Sequence, residues 1–315
     1  MKKNKKRLMG IILFIFFALL CLLILWEHYQ EAKQVRTFTA LIQMVEEQKL
    51  IDKDMDGCDA FECNMPTTPE SDLEKVSGQS LSLLLPKPSM MVASAAPLSV
   101  GSFQRTGTYD NRFLVTQDTL DKRKVLPQYT ALHAQNPDFF GWIRIEGTKV
   151  NYPVMFSPQE PERYLHKDFY GNYAKYGVPF VDGVTDVEHS RNLLIHGHNA
   201  RSGILFGDLD KFLKKSFWEE HRYIHFDTLY EERVYEIVEV CRTRIPGEGE
   251  KSFQYYDYVN IWNDTTMNQY IQNLSNITEF STTQILAFPD TLLTLSTCAY
   301  HEKNGRLLII ASRIL

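Results

Sequence analysis

The chain has 315 residues, 44% apolar and 12% aromatic, which suits one large or two small globular domains and excludes a fibrous or wholly disordered protein. The formal charge is -5, and Lys2, Lys3, Lys5, Lys6 and Arg7 place five positives before the first apolar run, so residues 8–315 carry -10. An acidic body without a basic stripe argues against nucleic acid as a partner.

In chain order, residues 1–7 form a basic cytoplasmic segment, and residues 8–26, Leu8 to Trp26, hold no charge. That run is close to the ~20 residues a helix needs to cross a bilayer. The basic cluster keeps the N-terminus inside and sends the rest of the chain out, as a single-pass protein of the cell membrane. A cleaved signal peptide is the rival reading. The run is long for one, and no small-x-small site follows before Trp26-Glu27-His28. Bulky Leu20 before Cys21 is wrong for a lipoprotein acceptor.

Residues 27–108 read as an extracellular helix followed by a low-order spacer. Val35, Phe38, Leu41, Ile42 and Val45 recur at helical spacing within His28–Lys49. Their face either packs on the folded body or belongs to a loose stalk. From Asp52 to Thr108 prolines, serines and acidic residues replace periodicity, although Leu81–Leu85 and Met90–Val92 are apolar enough to dock.

Residues 109–315 form the folded domain, opening near Tyr109–Val115. A short helix is expected over Leu126–Gln135, then strands over Phe140–Glu146, Val150–Met155, Gly177–Asp182 and Asn192–His196. Tyr164 to Tyr173 reads as loop. A helix is expected over Leu205–Phe217, strands over Tyr223–Asp227 and Arg233–Arg242, and a helix over Thr265–Leu274 capped by Asp264. A short strand is expected at Ile285–Phe288. Many short strands with few helices point to a β-barrel or sandwich.

The C-terminal stretch is the most informative. Thr291–Thr297 reads as one strand and Leu307–Ala311, a continuous apolar run, as another covered on both faces. The connection Ala299–Gly305 ends in the turn dipeptide Asn304-Gly305, which makes the strands antiparallel neighbours. Cys298 and Arg306 then meet at the mouth of one hairpin. Arg313 lies about 23 Å further along its strand, too far for the same chemistry.

Of five cysteines, Cys21 lies in the apolar run, Cys241 in a strand-like run, and Cys58 and Cys63 could pair outside the cell. Cys298 is left as a free thiol. Thiol catalysis needs a thiolate, a proton carrier and donors for an oxyanion. Arg306 favours the thiolate and can donate to the oxyanion. His198, in a glycine-containing turn past a buried strand, is the best-placed proton carrier. The plainer alternative is a buried cysteine at a strand end and a surface arginine. His196 and His198 also form an H-x-H pair that could suit zinc, but no carboxylate or cysteine stands nearby at ligand spacing, and no cofactor is expected.

Thr294-Leu-Ser-Thr-Cys298, with an arginine opening the next apolar strand, resembles the sortase active-site signature. Leu194-Ile-His-Gly-His198-Asn199 resembles that family's histidine signature. Asn136-Pro-Asp-Phe-Phe-Gly-Trp-Ile143, Asn151-Tyr-Pro-Val154 and Tyr164-Leu165 are similar to class B sortases in particular. The resemblance spans roughly residues 115–315. It implies an eight-stranded β-barrel with helices in its connections, behind an N-terminal membrane helix and linker. It also implies a membrane-anchored cysteine transpeptidase of Gram-positive type, with the triad on His198, Cys298 and Arg306. Such an enzyme cleaves a C-terminal sorting signal through a thioacyl-enzyme and passes the protein to an amine of a cell-wall precursor. A lysine of a pilin subunit is the alternative acceptor. Thr266-Met-Asn-Gln-Tyr270-Ile271 resembles the family's groove-helix pattern, with Tyr270 and Ile271 equally readable as core, and Leu165 and Ser296 match groove positions. Pro161 stands where the family often has asparagine, and Ala299 and Tyr300 where an acidic residue often follows the cysteine. From another class comes an anchored, non-catalytic barrel that binds surface ligands.

Overall fold

The structure, a computed structural model, describes residues 2–56, 123–247, 249–250 and 253–315. Cys58, Cys63, the apolar stretches at 81–85 and 90–92, and the expected domain opening at 109–115 lie outside the described residues.

Helix α1 runs unbroken over Lys2–Asp56. Among the described residues it is the one helix long and apolar enough to cross a membrane. From Met9 to Trp26 its large side chains stand exposed, as they would toward lipid. Further along, Phe38, Leu41 and Val45 are buried and belong to the main core. Phe38 lies 4.6 Å, ring centre to ring centre, from Tyr152. The 3.6-residue periodicity in this stretch is therefore a packed face and not a loose stalk.

Helix α2 covers Pro127–Gln135, with proline in its first turn where no amide is missed. Strands β1 (Phe139–Ile145), β2 (Asn151–Met155), β3 (Phe180–Val181) and β4 (Asn192–His196) follow. A 3-10 turn at Gly207–Leu213 leads into α3 (Lys215–Glu220), where one continuous helix over Leu205–Phe217 was expected. Leu205 itself is in a left-handed conformation, φ 54°, and pairs with Asn199, so no helix can start there. Then come β5 (Tyr223–Thr228), β6 (Val234–Arg244), helix α4 (Asp264–Ser275), β7 (Thr278–Ser281), β8 (Leu292–Cys298) and β9 (Gly305–Arg313). The cap of α4 is Asn263, whose side chain accepts from Thr266 N–H, and not Asp264. The expected strand at Ile285–Phe288 does not form, and Ile285 is 89% exposed. Strand β7 forms a few residues earlier, against β6.

Eight strands close on themselves in the order β5-β1-β2-β3-β4-β8-β9-β6, with β6 returning to β5 and β7 added beside β6. The barrel is mixed, since β2–β3 and β4–β8 are parallel. Alternation sorts the strand residues into two cores. Leu193, Ile195, Leu293, Leu295, Leu307 and Ile309 join the main core. Leu194, Leu292, Leu308 and Ile310 face the smaller core with Met267, Tyr270 and Leu274 of α4. Cover on both faces is why Leu307–Ala311 reads as an unbroken apolar run.

Candidate active site

Strand β8 pairs with β9 so that Cys298 stands directly opposite Arg306. The hairpin turns through Asn304 at φ 59°, a conformation asparagine tolerates, and Gly305 N–H donates to Glu302 O at 3.2 Å. On β4, His196 is the register partner of Ser296. Period-two alternation puts Leu292, Thr294, Ser296 and Cys298 on the face that carries the smaller core, and that face opens into a cleft at the strand ends.

The cleft has a volume of about 330 Å³, and Leu165, His198, Ser296, Cys298 and Arg306 all line it. Residues far apart in sequence are thus gathered at one place. Cys298 is half-buried with a free thiol. Cys241, by contrast, is sealed in β6, and burial pushes its thiol well above the ordinary range. Asn199 secures the end of β8, its Nδ2 donating to Cys298 O at 2.8 Å and to Asp210 at 3.1 Å. Arg306 Nη1 donates to Gly305 O at 3.0 Å. One corner of the guanidinium is thereby fixed while its side chain lines the cleft.

His198 Nε2 donates to Leu165 O at 3.0 Å. That bond selects the neutral tautomer protonated on Nε2 and leaves Nδ1 as the basic atom. Burial lowers the His198 pKa, assisted by nearby His166 and opposed by the bond to Leu165. The ring stacks with His166 at 5.5 Å and meets the edge of Tyr176 at 6.3 Å. His196 takes a different partner, Asp182 Oδ2 at 2.9 Å. Burial works against ionising Asp182, but the bonds from His196 and the Val184 amide hold its carboxyl below the usual range. The two histidines of the H-x-H pair are therefore committed to separate acceptors.

Thr266, Tyr270 and Ile271 are absent from the cleft lining. Thr266 donates its hydroxyl to the Asn263 cap. Ile271 packs against the smaller core. Tyr270 is wholly buried, its hydroxyl 3.0 Å from Thr294 Oγ1, which in turn donates to Asn192. In this state Tyr270 supports β8 from beneath. Tyr270→Phe is expected to lower stability by about 1 kcal/mol, the worth of one buried hydrogen bond. Denaturant unfolding measures this. A raised KM for peptide at unchanged stability would instead place Tyr270 in the groove.

Tyr255, which carried no signal in the sequence, sits in the 3-10 turn Tyr255–Tyr258, and its hydroxyl lies 2.8 Å from Ser296 Oγ. It ties the turn at Tyr255–Tyr258 to β8 beneath the cleft. Asn199 had a signal, as the residue directly after His198.

Residues 143–314 match the family model described as the sortase domain. The chain is 28% identical over 193 residues to sortase B of Staphylococcus aureus, covering 60% of this chain and 76% of the other. It is 27% identical over 184 residues to sortase B of Listeria monocytogenes, covering 56% and 70%. Among solved structures, a sortase B–substrate complex from Staphylococcus aureus is 27% identical with a TM-score of 0.53, covering 62% of this chain and 88% of that one. Sortase B from B. anthracis is 29% identical with a TM-score of 0.51, covering 60% and 85%.

Proposed function

Because the chain belongs to the sortase family, with class B enzymes as its relatives, we propose that His198, Cys298 and Arg306 are its catalytic triad and that it sorts secreted proteins at the membrane surface. It is a cysteine transpeptidase. The thiolate of Cys298 attacks the carbonyl of a threonine–glycine-type bond in the sorting signal. Arg306, with backbone N–H groups, holds the oxyanion. The carbon–nitrogen bond breaks, and protonated His198 gives its Nδ1 proton to the departing amine. A thioacyl-enzyme remains. An amine nucleophile attacks it, His198 takes the proton, and the thiolate leaves. Leu165 and Ser296 line the cleft beside the thiol and are the residues expected to meet the signal.

The observation that carries this reading is the single cleft that Cys298, Arg306 and His198 all line, although His198 comes from the loop after β4, a hundred residues before the thiol in sequence. The exposed apolar run of α1 supports a membrane anchor at residues 8–26, and the basic cluster before it favours an orientation with the barrel outside. A cell-wall precursor is the proposed acceptor, and a pilin lysine the alternative. Incubating the protein with a fluorescent sorting peptide and either a short peptide amine or a candidate pilin separates them. Transfer to the short amine without polymer supports the wall reading. A covalent pilin ladder supports the other. Absence of cleavage with every peptide offered sinks the substrate class.

A further inference from the structure

The segment Tyr164–Val178 supplies most of what surrounds the His198 ring. It provides the Leu165 carbonyl, the His166 ring and the edge of Tyr176. Its own geometry is compact. Val178 N–H donates to Tyr164 O at 3.1 Å, Ala174 N–H to His166 O at 3.0 Å, and His166 Nδ1 to Lys175 O at 3.0 Å. Gly177 sits at φ +55°, pressed so closely on the preceding turn that a Cβ there would stand 2.0 Å from Tyr164 O and 2.5 Å from Leu165 O.

Helix α1 grips this segment at two points. Gln34, a polar side chain only 5% exposed, donates from Nε2 to Gly177 O at 2.6 Å, across 143 residues of sequence. Glu27, the residue directly after the apolar run, pairs with Lys175 at 2.9 Å. Positions 27 and 34 are two helical turns apart on one face. The exposed ion pair is a weak tie, screened by solvent. The buried amide is the strong one, because neither its donor nor the Gly177 carbonyl has water to fall back on.

We propose that Gln34 is a positioning residue for the reaction: through the Gly177 carbonyl it holds the segment Tyr164–Val178, which in turn holds the His198 imidazole. This rests on the reading of His198 as the proton carrier. The helix bearing the apolar run then completes the active site as well as tethering it. A barrel cut away from α1 would keep its triad residues and lose the frame around one of them.

The test uses the full chain in detergent micelles with its histidine rings isotopically labelled. The groups facing His198 are His166 and Tyr176 on the segment, with Cys298 and Arg306 lining the same cleft. In the wild type His198 titrates below an ordinary histidine. Gln34→Met keeps the side-chain length and removes the donor. It is expected to let water reach the ring, raise the His198 titration by about half a pH unit or more, and lower kcat about tenfold with less change in KM. Gln34→Asn, one methylene short but still an amide, should fall between. Gly177→Ala disturbs the same contact from the other side and should move His198 in the same direction. Gln43→Ala, exposed on the same helix and bonded through its side chain to Glu47 alone among the described residues, should change nothing. A lowered melting temperature with the His198 titration unmoved would make Gln34 merely structural and overturn the proposal. Failure of the wild type to cleave any sorting peptide would count against the functional reading alone, since the titration decides this one without substrate.

Discussion

Cys298→Ala is expected to abolish thioacyl-enzyme formation and to lower peptide cleavage on the order of 10⁴-fold or more, while the barrel stays folded. The fold survives because, among the described residues, no bond that holds the end of β8 uses the thiol. The pairing with Arg306 and the bond from Asn199 both run through backbone atoms of residue 298. The side chain lies half-buried at a cleft, so its loss leaves no sealed cavity. Intact mass after mixing with a sorting peptide reads the result, since the wild type should carry an acyl adduct that the variant lacks. Cys241→Ala is the internal contrast. That thiol is wholly buried and its removal should cost stability without touching turnover. Alkylation of the folded wild type should accordingly modify Cys298 and leave Cys241 untouched until unfolding. Undiminished cleavage by Cys298→Ala would end the thiol mechanism.

Much of this was readable from the residues, for reasons that differ by element. Strands β4, β8 and β9 are short apolar runs between turn residues and polar connections, and their signal is local. The turn at Asn304-Gly305 fixed which residues would face each other, so the Cys298–Arg306 pair followed from register alone. Strand β7 was not legible, because Thr278–Ser281 alternates between half-buried and exposed positions and is held chiefly by the neighbouring β6. Ile285–Phe288 has the better strand composition and yet stays outside the sheet. Helix α4 showed its apolar face correctly, but the same pattern fits a groove wall or a core, and burial of Tyr270 against Thr294 is a tertiary fact. Tyr255 is 41 residues from Ser296 in sequence, and no local pattern announces such a bond. The face of α1 was visible in Phe38, Leu41 and Val45. What it packs on was not, and a glutamine on that face gives no hint of the carbonyl it will meet.

Arg306→Lys is expected to lower kcat by about 10²–10³-fold, the usual consequence of losing an oxyanion donor, although the charge is kept. The reason lies in how the guanidinium is held. Nη1 is spent on Gly305 O, and the planar fork then fixes the direction of its remaining N–H groups. An ammonium on a flexible stem can satisfy that carbonyl or reach toward the cleft, but it has no second rigid arm to do both. Arg313→Lys supplies the control from the same strand. Arg313 is engaged with Glu231 and the Leu315 carbonyl at the far end of β9, so its replacement should leave kcat unchanged and alter stability slightly. Pre-steady-state acylation rates distinguish the two. A slow acylation in Arg306→Lys with normal peptide affinity assigns the arginine to the transition state. An unchanged acylation rate would hand the oxyanion to backbone amides alone and reduce Arg306 to a brace for the Gly305 turn.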